Sequence, residues 1–252
     1  MVLALVSALF FLVVAVSAWK RLGLGRDMTT GFILGGAQLA LVSIILMALM
    51  EWQAQGSLWL PAAAVLVLLM AIIAARRSSR RSPDMPRAFS VTAASISMGA
   101  VLSLTVLLLA GAIPLRPEFI IPLAGMAFGN SMDICSLTME RITREFRLGR
   151  GAIEARLSLG ASSYQAMEDT SRMAMRAALI PTIDRMKTLG IIFIPGAMAG
   201  LLMAGVEPII AAQFQLVIFL MIVGGGVVTT LSAATLCRAS FFNDRHQIED
   251  WV

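Results

Sequence analysis

Inside one apolar run, Phe119 to Leu137, the chain carries a thioether, an amide, a carboxylate and a thiol: Met126, Asn130, Asp133 and Cys135. Met126, Asn130 and Asp133 follow one another at steps of four and three, so on a helix they share one face. An isolated carboxylate in hydrocarbon costs roughly 2.5 to 3.5 kcal/mol on insertion scales. Asp133 therefore needs water, a cation, a partner or a place near the interface. Counted from Phe119 at ~1.5 Å per residue, it lies past the midplane, toward the cytoplasm. Oxygen ligands with Cys135 close by suit a metal ion, with Asp133 as its ligand. An arginine at a helix end, or hydration at the cytoplasmic mouth, would satisfy the carboxylate equally. The 17 methionines, Met126 and Met198 among them, can escort soft cations or fill interfaces between helices that slide. Pro122 and Pro195 can break helices and free carbonyls toward a cavity, or simply kink them. Gly125 with Gly129, and Gly196 with Gly200, have the small-x-x-x-small spacing that lets helices approach closely.

Other chemistries lack their residues. The only lysines are Lys20 and Lys187, and no G-x-x-x-x-G-K-[ST] loop is present, so this chain is not expected to hydrolyse ATP alone. Cys135 and Cys237 both fall in apolar runs and His246 is the one histidine, which excludes a disulfide framework and a zinc site of known spacing. No nucleophile–base pairing points to an enzyme, and no catalytic residue is assigned.

These residues sit in a chain that is 58% hydrophobic and 14% charged, with mean hydropathy +0.85. Average globular proteins carry roughly 25% charged residues. The chain is expected to be an all-α, polytopic membrane protein forming a single transmembrane domain over residues 1–252. The net charge of +5 is no sign of nucleic-acid binding, because the charges cluster between apolar runs. A spanning helix needs roughly 20 apolar residues, and seven runs qualify: about 2–18, 30–50, 58–75, 89–113, 119–137, 189–204 and 208–236. Val16-Ser17-Ala18 has the form of a signal-peptidase site, but the basic residues follow the first run instead of preceding it, which favours an uncleaved span. With the N-terminus outside, nineteen of the 20 basic residues fall in cytoplasmic segments and only Arg116 falls outside, which also makes the C-terminus cytoplasmic.

Residues 139–188 form the long polar segment. Ile153, Leu157, Gly160, Tyr164 and Met167 recur at helical steps and mark an amphipathic helix pair, broken at Gly160. Ser162 with Gln165 has the form of a capping box, so a second helix starts near Ser163. It should run to about Pro181, where the missing donor and the ring break or kink it.

The run Glu154-Ala155-Arg156-Leu157-Ser158-Leu159-Gly160 has the form E-A-x-x-x-x-G and resembles the cytoplasmic coupling loop of permease subunits in ABC importers. Three further stretches resemble the FetB group of ABC permeases, which includes a bacterial iron-export permease and plant aluminium-sensitivity permeases. They are Pro122-Leu123-Ala124-Gly125-Met126-Ala127-Phe128-Gly129-Asn130, then Arg176-Ala177-Ala178-Leu179-Ile180-Pro181-Thr182, and then Met186-Lys187-Thr188-x-Gly190 leading to Pro195-Gly196-x-Met198-x-Gly200. The likeness runs from about Pro122 to Arg245-His246-Gln247. Asp133 and Ala197 depart from the group's pattern, and both lie where a substrate path would run.

The resemblance implies a permease in a bacterial inner membrane, working as a homodimer with a separate cytoplasmic ABC ATPase that binds ATP and magnesium. It implies docking of that ATPase at Glu154, Ala155, Leu157, Gly160, Ser162, Tyr164 and Gln165. The implied cargo is ferrous iron or a related metal, passing Met126, Asn130, Asp133, Cys135 and Met198. Pro122, Gly125, Gly129, Pro181, Pro195, Gly196 and Gly200 would serve packing or hinge roles. Export of a nucleotide sugar or another anionic solute is the alternative cargo. An ion-gradient-driven carrier and a membrane anchor are the alternatives from other classes. No arginine lies deep in an expected span, which leans toward a cation.

Overall fold

The computed structural model describes residues 13–17, 19–20, 23, 25–56, 59–82, 85, 87–243 and 247–249. Residues 13–17 are helical, and the helices after them are α1 (Gly25–Gln55), α2 (Trp59–Ser79), α3 (Ala88–Leu109), α4 (Pro117–Ser158), α5 (Ser163–Ala166), α6 (Glu168–Lys187), α7 (Gly196–Met203) and α8 (Pro208–Ala239). No strand longer than an isolated bridge occurs among the described residues. The chain divides into two compact units, Met1–Trp59 and Leu60–Val252. The first unit contains α1, an apolar helix of 31 residues.

Five of the helices, α1, α2, α3, α4 and α8, are long and apolar enough to cross a membrane. The chain is a multi-pass membrane protein. The expected first span, 2–18, lies largely outside the described residues. The expected sixth, 189–204, is corrected. Its apolar composition is that of a span, but Gly190 (φ 86°) and Pro195 interrupt it. Residues 188–194 fold into a turn in which the Gly190 N–H donates to the Phe193 carbonyl at 2.9 Å. Only the eight residues of α7 are helical thereafter, about 12 Å, too short for a hydrocarbon core of about 30 Å.

In the second unit α3, α4 and α8 pack together, and α6 lies against α4 and α8. The Gly224-Gly225-Gly226 run of α8 makes this possible. A methyl group on Gly225 would meet Ser103 Oγ at 2.9 Å and the Gly99 carbonyl at 3.0 Å, while one on Gly226 would meet Ile134 Cδ1 at 2.6 Å. Gly99 in turn abuts Thr229 and the Gly225 carbonyl. With no side chains at these positions the helices approach closely, and dispersion between them replaces the hydrophobic drive that lipid does not supply. The glycines expected to do this, Gly125, Gly129, Gly196 and Gly200, have no described residue beyond their own helix within 4 Å of an added methyl. Buried hydroxyls tie α2 to its neighbours: Thr92 Oγ1 lies 3.0 Å from the Ala75 carbonyl, and Ser136 Oγ donates to Ser78 Oγ at 3.0 Å.

Helix α4 opens with Pro117 in its first turn, where a missing donor costs nothing and φ is preset. Its 42 residues make it about 63 Å long at 1.5 Å per residue, twice the hydrocarbon thickness, so one helix joins the expected fifth span to the polar segment. Pro122 lies inside it without breaking it. Helix α6 likewise passes through Pro181 to Lys187, correcting the expected break. Pro181 is exposed, so the carbonyl it leaves without a donor can turn to solvent.

Candidate functional site

A cavity of about 410 Å³ lies between α4, α6, α8 and the turn before α7. Helix α4 contributes Met126, Asn130 and Asp133, the face read from the sequence. Helix α6 adds Thr182 and Arg185, one turn apart, and the turn adds Phe193, Pro195 and Gly196. Helix α8 supplies Gln215, Ile218, Phe219 and Ile222 at steps of three, one and three, a single face.

Two amides organise these walls. Asn130 Nδ2 donates to the Ile222 carbonyl at 3.2 Å, locking α4 to α8 and leaving Oδ1 as an acceptor. Gln215 is only 4% exposed, and its Oε1 accepts from the Met198 N–H at 3.2 Å. Met198 is the third residue of α7, whose preceding residue, Pro195, has no side-chain cap to give. Gln215 therefore caps α7 from another helix and satisfies one of the four free N–H groups of its first turn. Its Nε2 donor remains for the cavity. The pocket thus holds a carboxylate, an amide oxygen, an amide donor, the Thr182 hydroxyl and a guanidinium on largely apolar walls.

Asp133 is exposed to this cavity, and Arg185 lines it too without an ion pair between them. Cys135, two residues further along the helix, turns about 200° away and is fully buried in the core. It does not line this cavity. Met198 does not line the cavity and touches it only through the bond of its N–H to Gln215, whereas Met126 is the thioether on the wall. Among the described residues no group of three or more His, Cys, Asp or Glu side chains is placed to hold a metal ion. Thr182, Arg185 and Gln215 were missed from the sequence. Gln215 carried a signal, a buried amide in an apolar run, and Arg185 lay one turn after Pro181.

The second candidate site is the joint between α4 and α5. The Gly160 N–H donates to the Leu157 carbonyl at 2.9 Å and the Ala161 N–H to the Arg156 carbonyl at 3.0 Å. This is a Schellman ending, with Gly160 at φ 90° in the left-handed position it requires. The Ser162–Gln165 capping box follows: the Gln165 N–H donates to Ser162 Oγ at 3.3 Å and the Ser162 N–H to Gln165 Oε1 at 3.0 Å. Arg156 braces the corner, pairing with Asp169 at 2.9 Å and donating to the Ala166 carbonyl at 3.3 Å. Glu154 pairs with Arg150 one turn earlier at 2.8 Å. Ile153, Ala166 and Met167 are buried beneath the joint, while Ala155, Leu159 (88% exposed) and Tyr164 (56%) stand out from it. Tyr164 lies under Arg238 of α8, whose guanidinium carbon is 4.2 Å from the ring centroid.

The family described as "Uncharacterised protein family (UPF0014)" matches residues 1–242. The chain is 33% identical over 246 residues to "Probable iron export permease protein FetB" of Escherichia coli (strain K12), covering 98% of this chain and 93% of that protein. It is 32% identical over 246 residues to "UPF0014 membrane protein STAR2" of Oryza sativa subsp. japonica, covering 98% and 85%. It is 31% identical over 241 residues to "Protein ALUMINUM SENSITIVE 3" of Arabidopsis thaliana, covering 96% and 86%. No solved structure matches.

Proposed function

Because the chain belongs to the UPF0014 family, we propose that it is the permease subunit of an ATP-driven ABC exporter of iron or a related metal ion. Two copies work as a homodimer in a bacterial inner membrane, N-terminus outside and C-terminus cytoplasmic. Each docks one separate ATPase, which binds the ATP and magnesium. The observation that carries this reading is the joint. A helix about 63 Å long outruns the bilayer and ends in a sharply capped corner. That corner presents Ala155, Leu159 and Tyr164 outward on a base of buried Ile153, Ala166 and Met167. A corner capped on both sides transmits a push as rigid-body motion instead of yielding to it.

The cargo follows from the relative named as an iron export permease and from the oxygen donors of Asp133, Asn130 and Thr182. Ferrous iron entering from the cytoplasm would exchange part of its hydration for these oxygens, with the Met126 thioether as a softer contact. The cavity holds one carboxylate, which suits a transit site: binding strong enough to admit the ion, too weak to keep it. Closure of the ATPases would move α4 and α6 together and open the cavity outward. Arg185 favours a second cargo, an anionic solute such as a nucleotide sugar, because a guanidinium beside the cavity attracts phosphate and repels a bare cation.

The test is reconstitution of the permease with the ATPase that co-purifies with it. Ferrous iron should raise ATP hydrolysis and leave the compartment carrying the ATPase. Stimulation by a nucleotide sugar without any response to iron would replace the first cargo by the second, and a permease that binds no ATPase would remove the ABC reading.

A further inference from the structure

The joint touches more than the two helices it connects. At the last turn of α8, Arg238 lies over the Tyr164 ring at 4.2 Å, within the range of cation–π attraction. Beyond it, Phe241 stacks on Phe146 of α4 with centroids 4.5 Å apart, and Phe242 meets the same ring edge-on at 6.1 Å. The chain then pairs back on itself: the Asn243 N–H donates to the Gln247 carbonyl and the Glu249 N–H to the Phe241 carbonyl, each at 2.9 Å. Gln247 and Ile248 thereby border a groove on the joint with Glu154 and Leu157.

At its other end α8 is a cavity wall. Its Ile222 carbonyl holds Asn130, and its Gln215 side chain holds α7. Ile222 and Arg238 are sixteen residues apart on one helix with no proline between them, about 24 Å of rod. A force applied to Tyr164 therefore has a direct route to the residues that fix Asn130, separate from the route along α4.

We propose that Arg238 is a positioning residue for coupling: by stacking on Tyr164 it ties α8 to the joint, so that one push moves the α8 wall of the cavity together with α4 and α6. The inference rests on the reading of the chain as an ABC permease. Without the stack, the joint still docks its ATPase and α4 and α6 still move, but α8 lags and the cavity walls fall out of step. Hydrolysis then proceeds without delivery of cargo.

The experiment compares the parent with Arg238→Ala, Arg238→Lys, Tyr164→Phe and Tyr164→Leu, each reconstituted with the co-purifying ATPase, with ferrous iron as the probe. The readout is iron moved per ATP hydrolysed. Arg238→Ala should keep ATPase binding and basal hydrolysis within about twofold of the parent while the ratio falls about tenfold. Arg238→Lys, which keeps a cation, and Tyr164→Phe, which keeps the ring, should retain the parent's ratio whatever their absolute rates. Tyr164→Leu should lose it. A parent-like ratio in Arg238→Ala, or equal ratios in the two Tyr164 variants, overturns the proposal while leaving the ABC reading intact. A parent that neither binds an ATPase nor moves iron overturns both.

Discussion

Replacing Gly160 by valine changes the joint at one backbone position and almost nowhere else. Among the described residues, and leaving aside its two chain neighbours, no atom lies within 4 Å of where the new Cβ would be, so the substitution meets no steric wall. What it meets is its own φ of 90°, where an L side chain crowds the following carbonyl. Left-handed backbone costs roughly 1–2 kcal/mol for an ordinary residue, and a β-branched one lies at the upper end. The two Schellman hydrogen bonds depend on that conformation, so the penalty falls on the joint and not on the bundle. If the ATPase binds only the formed joint, affinity falls by the fraction of joints lost. Where the joint is only marginally formed without its ATPase, a cost of about 2 kcal/mol weakens Kd by up to a factor of about 30, and about 1 kcal/mol, expected for Gly160→Ala, by up to a factor of about 5. Asn tolerates the left-handed region better than other residues, so Gly160→Asn should bind almost as the parent does. The expected order of affinity is Gly, Asn, Ala, Val, measured with detergent-solubilised permease and immobilised ATPase, alongside a thermal melt that stays within a few degrees of the parent. Parent-like binding and full stimulation of hydrolysis by the valine variant would refute the assignment of this corner as the docking joint.

Three further outcomes follow from the cavity and the bundle. Asp133→Asn keeps the volume and removes the charge, so iron-stimulated hydrolysis should be lost while ATPase binding persists; an unchanged response to iron would make Asp133 an interfacial residue. Arg185→Gln should raise iron flux, and unchanged iron flux with a fall in flux of an anionic solute, read in the same vesicles, would favour the anionic cargo. Gln215→Leu removes the cap on α7, a loss of about 1 kcal/mol by analogy with other helix caps, and should speed hydrogen exchange of the Met198 amide several-fold. Unchanged exchange there would mean that the Gln215–Met198 bond of 3.2 Å contributes nothing.

The joint was legible because every part of it is local. A glycine, a serine and a glutamine within six positions specify a left-handed turn and a capping box whatever surrounds them. The apolar runs that became α1, α2, α3 and α8 were legible for a similar reason, since length and composition decide whether a helix can cross. The sixth run failed because hydropathy weighs side chains and ignores the backbone: Gly190 and Pro195 scored as neutral members of a run that they interrupt. Distant partners were hidden altogether. Nothing near Gly225 indicates that its neighbour is Gly99, and nothing near Arg185 indicates that it shares a cavity with Asp133. Met126, Asn130 and Asp133 were placed on one face correctly because helical phase is fixed along a single element. The same phase turns their neighbour Cys135 into the core.

Phase has a further consequence along α4. Asp133 and Glu154 are twenty-one residues apart on one uninterrupted helix, so the azimuth of the cavity face and that of the capped corner are geared to each other. Adding or deleting a single residue between them would rotate one against the other by about 100° and shift it by about 1.5 Å. Seven or eleven extra residues would restore the rotation to within about 20°, but would carry the corner more than 10 Å away from the ends of α6 and α8 that clasp it. The geometry therefore constrains the length of this stretch more tightly than it constrains those exposed side chains that face neither the cavity nor the corner.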